Sequence, residues 1–116
     1  MITLYGIPNC DKVRKARRWL DDHGVAYRFH DFRRDGLDAS QLRTWVDALG
    51  WEALLNRSGT TWRAAPDALK SQVDAESAIA FMLQAPAAIK RPVLDTGRER
   101  VVGFSEARYQ SLFGAG

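Results

Sequence analysis

The sequence predicts an α/β domain with a four-stranded mixed sheet, in which a βαβ unit is followed by helices and then by a ββα unit. Three observations support this prediction. A short apolar run near the N-terminus is punctuated by Gly6 and Pro8 and leads into apolar residues at helical spacing. The middle third of the chain is mainly helical in its apolar spacing. Two short apolar runs near the C-terminus are separated by a turn that contains Gly97, which is typical of an antiparallel hairpin.

The N-terminal third predicts a strand, a helix and a second strand. Residues 2–5 are short, apolar and β-inclined, and the helix that follows ends at Gly24, a residue suited to the left-handed backbone after a helix. The apolar residues of this helix recur at helical spacing: Val13, Ala16, Trp19 and Leu20. Residues 26–32 alternate between the two faces of a half-buried strand. Such a βαβ unit implies parallel strands joined by a right-handed crossover.

The middle third predicts a helical insertion over about residues 38–88. One helix begins at Asp38 and another at Asp74, because an aspartate at the N-cap accepts a hydrogen bond from the first turn. Residues 51–55 predict a short helical piece. Residues 56–61 have the composition of a loop.

The C-terminal part predicts strands at residues 93–94 and 100–102, followed by a helix that Ser105 caps. The complete order of elements is that of a thioredoxin-like domain. We therefore expect residues 1–116 to form one domain, with the turn after the first strand and the start of the hairpin at the same end of the sheet.

The single cysteine, Cys10, is predicted to lie where the first turn becomes the first helix. Free backbone N–H groups and the helix dipole favour an anion there, so the position favours a reactive thiolate. Cations crowd the turns that follow: Lys12, Arg14, Lys15, Arg17 and Arg18. Two plainer interpretations stay open, a buried inert cysteine and a solvated basic helix face.

Composition excludes several classes of protein. One cysteine allows no intramolecular disulfide, and with only two histidines the chain offers no convincing metal site, so no metal is predicted. A net charge of +3 is too small to indicate nucleic-acid binding. No apolar run approaches the roughly 18 residues of a membrane span, and no basic-then-apolar leader precedes the first strand. We expect a cytoplasmic protein without a membrane partner, and a monomer by default.

The chain resembles the ArsC/Spx family of thioredoxin-like proteins, and within it the YffB-like branch. The resemblance covers the whole chain and rests on six blocks in the family's order: Ile2-Thr3-Leu4-Tyr5 with Pro8 and Cys10, Arg14-Lys15-Ala16 before Trp19-Leu20, Asn56-Arg57-Ser58-Gly59, Phe81-Met82-Leu83-Gln84 before Pro86, Ile89-Lys90-Arg91-Pro92-Val93, and Val102-Gly103-Phe104.

The resemblance implies roles for particular residues. Cys10 matches the family's redox cysteine, and Arg91 matches an arginine that helps to bind an anion or glutathione near the sulfur. Pro92 matches a cis-proline beside that cysteine, which predicts a cis Arg91–Pro92 bond. The other candidates for binding substrate or glutathione are Asn9, Lys12, Arg14 and Arg57. Without the resemblance, Arg91 would be interpreted as an ordinary surface arginine at the start of a strand.

Departures from the family's patterns decide between its branches. Spx regulators have Cys-x-x-Cys, whereas here Val13 replaces the second cysteine. Glutaredoxin-coupled arsenate reductases have an arginine where Gly103 stands, and their middle arginine falls one residue before Arg57. The resemblance therefore favours an oxidoreductase, and within that class a glutathione-dependent thiol reductase.

This enzyme would use Cys10 in thiol–disulfide exchange with glutathione or another small thiol as co-substrate and with no tightly bound cofactor. The first alternative is an arsenate reductase, in which Arg57 and Arg91 hold the oxyanion. The second alternative belongs to another class, a non-catalytic Spx-like protein that binds a transcription complex through the basic first helix.

Overall fold

A computed structural model of the chain describes residues 2–113. The chain divides into two compact units, which we call the sheet unit (residues 1–35 and 91–116) and the helical unit (residues 36–90). Residue 1 and residues 114–116 of the predicted domain lie outside the described residues. The helical unit contains the insertion that the sequence predicts, and the single domain stays a prediction.

The described residues form four strands, eight α-helices and one 3-10 turn. In chain order these are β1 Thr3–Gly6, α1 Asp11–Asp22, β2 Arg28–Asp31, α2 Phe32–Asp35, α3 Ala39–Leu49, α4 Trp51–Leu54, α5 Thr60–Arg63, α6 Asp67–Ser71, α7 Ala75–Gln84, the 3-10 turn Pro86–Ala88, β3 Val93–Asp95, β4 Arg100–Val102 and α8 Glu106–Phe113.

The sheet has the order β2-β1-β3-β4. β1 and β2 are parallel, with Gly6 opposite Asp31, whereas β1 pairs with β3 and β3 with β4 in antiparallel fashion. This arrangement confirms the predicted four-stranded mixed sheet of a thioredoxin-like α/β fold, including the C-terminal hairpin.

One face of the sheet packs against α1 and α8. Trp19 and Tyr109 meet edge to face with ring centroids 5.6 Å apart, and Phe104 contacts the Tyr109 ring at 4.8 Å. The buried residues of this core are Leu4, Ala16, Trp19, Leu20, Leu94, Val101 and Tyr109. The apolar stripe that predicts α1 is thus the stripe that it buries.

The helical unit confirms both predicted caps. The Asp38 carboxylate accepts from the Ser40 backbone N–H at 3.2 Å, and Asp74 forms a reciprocal pair of capping bonds with Ser77 at 2.9 Å each. The predicted loop at residues 56–61 is wrong in its last two residues, which begin α5. This turn of helix is stabilised by burial of Trp62.

The second strand is shorter than predicted. Residues 26–32 predict a strand, but β2 spans Arg28–Asp31 and Phe32 begins α2. The reason is the buried Asp31 carboxylate, which accepts hydrogen bonds from the N–H groups of the two residues after Phe32 and so turns the chain into a helix. No helix among residues 2–113 is long and apolar enough to cross a membrane.

Candidate functional site

Cys10 is the N-cap residue of α1, as the sequence predicts. Its backbone is extended (φ −101°, ψ 131°), its N–H donates to the Ile7 carbonyl at 3.3 Å, and its carbonyl accepts from the Arg14 N–H at 2.9 Å. The side chain is half-buried and forms no capping hydrogen bond. Cys10 therefore lies at the N-terminus of α1, where the N–H groups of the first helical turn have no partner within the helix.

A close approach between β1 and α1 positions this helix end. A Cβ atom built on Gly6 would lie only 2.7 Å from Cγ2 of Val13, inside van der Waals contact. Val13 is fully buried and β-branched, so its rotamer has little freedom within a helix. Only glycine at position 6 allows α1 to begin this close to the last residue of β1.

The Arg91–Pro92 bond lies at the same end of the sheet as Cys10. It is cis, which confirms the prediction. Because Tyr5 pairs with Val93, one further step of the antiparallel register places Pro92 beside Gly6. The Pro92 carbonyl accepts from the Gly103 N–H at 2.8 Å, so the first residue after β4 is held at this end as well.

The Arg91 side chain is half-buried, yet its guanidinium forms no hydrogen bond or ion pair with any residue in the range 2–113. A cation that is partly removed from water without a partner is costly, and an anion that binds to it offsets that cost. Arg91 is therefore suited to bind an anionic group at the cysteine end of the sheet.

The other candidates in the sheet unit surround Cys10 along the chain. Asn9 and Lys12 are exposed. Arg14 is exposed too, but it forms an ion pair with Asp11 in the first turn of α1. Part of the positive charge that the sequence places after Cys10 is thus already balanced, and Lys12 is the first cation after the sulfur.

Arg57 belongs to the helical unit and not to the sheet unit that carries Cys10 and Arg91. It is exposed, and its guanidinium carbon lies 5.4 Å from the centre of the Trp51 ring, a cation–π distance. The loop that carries it is anchored where the Asn56 N–H donates to the Ala88 carbonyl at 2.8 Å. A role for Arg57 in binding substrate stays a prediction.

A turn at the end of β2, which the sequence analysis did not single out, also reaches the cysteine end. The buried Asp31 carboxylate accepts from the Arg33 N–H at 2.8 Å and from the Arg34 N–H at 3.4 Å. Its own N–H donates to Asp35 at 3.0 Å. An aspartate at the end of a strand, followed one residue later by two arginines, is the signal that could have revealed this turn.

Arg34 and Asp35 neutralise each other on this turn. The Arg34 guanidinium donates to both carboxylate oxygens of Asp35, at 3.1 and 3.0 Å. This hydrogen bonding, together with the Asp31 N–H, lowers the pKa of Asp35 from its ordinary value to about 2. Among the residues that the structure describes, no cluster of three or more His, Cys, Asp and Glu side chains is arranged to hold a metal ion.

Comparison with known proteins identifies the family. The model of the ArsC family matches residues 5–112, which is nearly the whole chain. The chain belongs to the ArsC family. The solved structure of a YffB protein superposes on this ArsC-family chain with a TM-score of 0.92 and 47% sequence identity, over 96% of this chain and 97% of that one. This match confirms the predicted YffB-like branch.

Two further relatives show the range of the family. A protein from Brucella melitensis described as related to arsenate reductase (ArsC) is 49% identical, with a TM-score of 0.78 over 97% of this chain and 93% of that one. The global transcriptional regulator Spx of Streptococcus agalactiae is 28% identical over 109 residues, which cover 91% of this chain and 78% of the regulator.

Proposed function

We propose that this ArsC-family protein is a glutathione-dependent thiol reductase in which Cys10 is the nucleophile. One observation carries the proposal: a half-exposed sulfur that is not used for capping shares one end of the sheet with an unpaired, half-buried Arg91. Membership of the ArsC family and the arsenate-reductase-related neighbour support the broader class, an oxidoreductase that acts on a small thiol or an oxyanion.

The reaction is a pair of exchange steps at Cys10. The Cys10 thiolate attacks one sulfur of a disulfide, a bond forms between the two sulfurs, and the other half leaves as a thiolate that takes a proton from water. A glutathione thiolate then attacks the mixed disulfide and regenerates the Cys10 thiolate. This step also releases a disulfide between glutathione and the remaining half of the substrate. A second glutathione thiolate attacks that disulfide, so the substrate ends as two thiols and the two glutathione molecules end as one oxidised glutathione. No second protein thiol is needed, which suits a chain with one cysteine.

In the proposed reaction, Arg91 is the residue that makes glutathione the preferred thiol. Glutathione carries two carboxylates, and the planar guanidinium can donate two parallel hydrogen bonds to one of them. A charge-assisted hydrogen bond contributes about 1.5–3 kcal/mol when it is well formed, or roughly a tenfold to hundredfold change in affinity. A neutral disulfide has no carboxylate to offer, so it should react with little dependence on Arg91.

The test is mass spectrometry of the intact protein after incubation with oxidised glutathione. We expect one glutathione on wild type, none on Cys10→Ser, and a rate about tenfold lower on Arg91→Ala. Arg91→Lys should recover only part of that rate, because a point charge does not reproduce the planar fork. Hydroxyethyl disulfide, a neutral reagent, serves as the matched substrate control.

Two results would contradict the proposal. The first is an alkylation rate of wild-type Cys10, at mildly acidic pH, that is no faster than that of a free thiol reference. Cys10 would then not be an activated nucleophile. An equal loss of rate with glutathione disulfide and with the neutral disulfide in Arg91→Ala would show that Arg91 acts on the sulfur or on the fold and does not recognise glutathione.

Arsenate reduction is a second candidate, favoured by the family and by the Brucella relative. Gly103 stands where the resemblance calls for an arginine, and its backbone has φ of +81°, which favours glycine. We expect glutathione- and glutaredoxin-coupled turnover of arsenate to remain at background. Turnover that depends on Cys10 and exceeds the disulfide activity would make arsenate the better substrate.

A non-catalytic role like that of Spx belongs to another class of function, and the Spx relative favours it. The basic residues of α1 offer a binding surface in that case. The two classes differ in one measurement: binding to a transcription complex should persist in Cys10→Ser if the protein is a binding module, whereas a thiol reductase loses its activity in that variant.

A further inference from the structure

We propose that Arg33 is a second carboxylate-binding residue of the cysteine site and that it makes the site specific for thiols with two carboxylates, such as glutathione. The inference rests on the proposed function, because it assigns a partner for the carboxylate that Arg91 leaves free. Four observations carry it: the parallel register of β1 and β2, the fixed turn after β2, the pairing of the neighbouring arginine, and the positions of the two arginines on either side of Cys10.

The first observation is the register. β1 and β2 are parallel and place Gly6 opposite Asp31, so both strands end at the same edge of the sheet, about 4.8 Å apart. Cys10 returns to the end of β1, because its N–H donates to the carbonyl of Ile7, the residue after Gly6. Arg33 is only two residues beyond Asp31. The bases of the two side chains therefore project from adjacent strand ends.

The second observation is that the backbone of Arg33 is fixed. Its N–H donates to the buried Asp31 carboxylate at 2.8 Å, which commits the chain to the single turn of α2. A second hydrogen bond, from the Asp31 N–H to Asp35 at 3.0 Å, closes the same turn from the other side. A cation on a fixed turn loses less conformational entropy on binding a ligand than a cation on a mobile loop does.

The third observation concerns charge. Arg34 is neutralised by Asp35 through two hydrogen bonds, whereas the exposed Arg33 guanidinium has no hydrogen-bond or ion-pair partner within residues 2–113. The Asp31 carboxylate is occupied by two backbone N–H groups. Arg33 is therefore the cation of this turn that is available to an anionic ligand.

The fourth observation is that the two unpaired arginines lie on opposite sides of the strand that leads to Cys10. Arg91 precedes β3 and Arg33 follows β2, and β1 runs between these strands. Glutathione has the matching arrangement, with its sulfur on the central residue and a carboxylate at each end of a tripeptide that spans up to roughly 10 Å. One arginine for each carboxylate leaves the sulfur opposite Cys10.

The test compares Arg33→Gln with Arg34→Gln, a matched control one residue away on the same turn. For each variant and for wild type, we would measure the rate at which Cys10 forms a mixed disulfide with glutathione disulfide and with hydroxyethyl disulfide. We expect Arg33→Gln to lose about fivefold with glutathione disulfide and less than about twofold with the neutral reagent. Arg34→Gln should change neither rate by more than about twofold.

Three further measurements exclude a merely structural effect. The loss in Arg33→Gln should shrink as salt is added, because an exposed charge pair is screened. In the double variant with Arg91→Gln, the two losses should multiply, since each arginine binds a different carboxylate. Arg33→Lys should retain part of the preference for glutathione disulfide.

The inference is overturned if Arg33→Gln behaves like Arg34→Gln, or if it slows both reagents equally. In that event, a wild-type Cys10 that still reacts with glutathione disulfide and still depends on Arg91 leaves the proposed function intact. If wild-type Cys10 forms no mixed disulfide with glutathione at all, the proposed function fails and the role of Arg33 fails with it.

Discussion

At the end of the sheet that carries Cys10, a thiol and two guanidinium groups are left without partners among the described residues, whereas at the hairpin end the Asp95 carboxylate has two partners. The cysteine end holds a sulfur that caps nothing and the two guanidinium groups of Arg91 and Arg33, which are unpaired among the described residues. At the hairpin end, Asp95 forms an ion pair with Arg100 and accepts from the Gly97 N–H at 2.8 Å.

The two ends of α1 differ in the same way. Its first turn begins at Cys10 without a side-chain cap, whereas its last turn is closed by His23. The His23 ring stacks on the Trp19 indole with centroids 3.8 Å apart, and its Nδ1 donates to the Trp19 carbonyl at 2.8 Å. One helix thus ends at a residue whose side chain stacks and hydrogen-bonds on its last turn, and begins at a residue whose side chain forms no capping hydrogen bond.

The largest expected effect is that of Cys10→Ser, which removes the sulfur from the cysteine end of the sheet. The variant should lose all exchange with glutathione disulfide, because a serine hydroxyl is not ionised near neutral pH and is no nucleophile for sulfur. The free energy of unfolding, measured with urea, should stay within about 0.5 kcal/mol of wild type, since the side chain caps nothing. A large loss of stability would mean that Cys10 is a packing residue.

The variant Gly6→Ala tests the close approach that positions the cysteine end. The new methyl group would collide with Val13, so we expect a loss of about 1–3 kcal/mol in the free energy of unfolding. Combining it with Val13→Ala should relieve part of the collision, and the double variant should be more stable than the sum of the single effects predicts. Simple additivity of the two substitutions would argue against a direct contact.

The variant His23→Ala removes the closure at the other end of α1. Loss of the ring stack and of the hydrogen bond to the Trp19 carbonyl should cost about 1 kcal/mol of stability. The rate of exchange at Cys10 should remain within about twofold of wild type, because the change lies at the opposite end of the helix. If the rate fell far more than this, the two ends would not be independent.

The smallest effect concerns pH and the turn that carries Arg33. Because the pKa of Asp35 is lowered from 3.8 to about 2 in the folded protein, its contribution to stability is present above pH 3.8 and is lost as the pH falls toward 2. The difference in melting temperature between wild type and Asp35→Asn should therefore shrink over that range. A constant difference would show that the Arg34 pair does not depend on the ionised carboxylate.

The periodic elements could be predicted from the sequence because their side chains carry the signal. The stripe that includes Trp19 and Leu20 predicts α1, and the spacing of the two C-terminal runs around Gly97 predicts the hairpin. The start of α1 at Cys10 followed from the same stripe. The cis bond before Pro92 was implied by the family resemblance, since residue spacing has no signature for it.

The rest depends on contacts that are distant in the chain or too short to be periodic. α5 and α6 are each about one turn long, so they contain no periodic repeat of apolar residues that could predict them. α5 depends on the burial of Trp62. The end of β2 is decided by hydrogen bonds to Asp31, against the alternating pattern that continues to Phe32. The hydrogen bond from the Arg33 N–H to Asp31 also fixes the backbone of Arg33, the residue that we propose as a carboxylate ligand.

The order of the strands has a consequence during synthesis on the ribosome. β1 is a central strand of the sheet and pairs with β3, which the ribosome makes only after the 55 residues of the helical unit, residues 36–90. Until then one edge of β1 offers unpaired backbone groups to other chains. The nascent chain therefore contains the Cys10 thiol before Arg91 has been made. Under the proposed function, any selectivity that Arg91 gives for the thiol partner arises only after residue 91 has been synthesised.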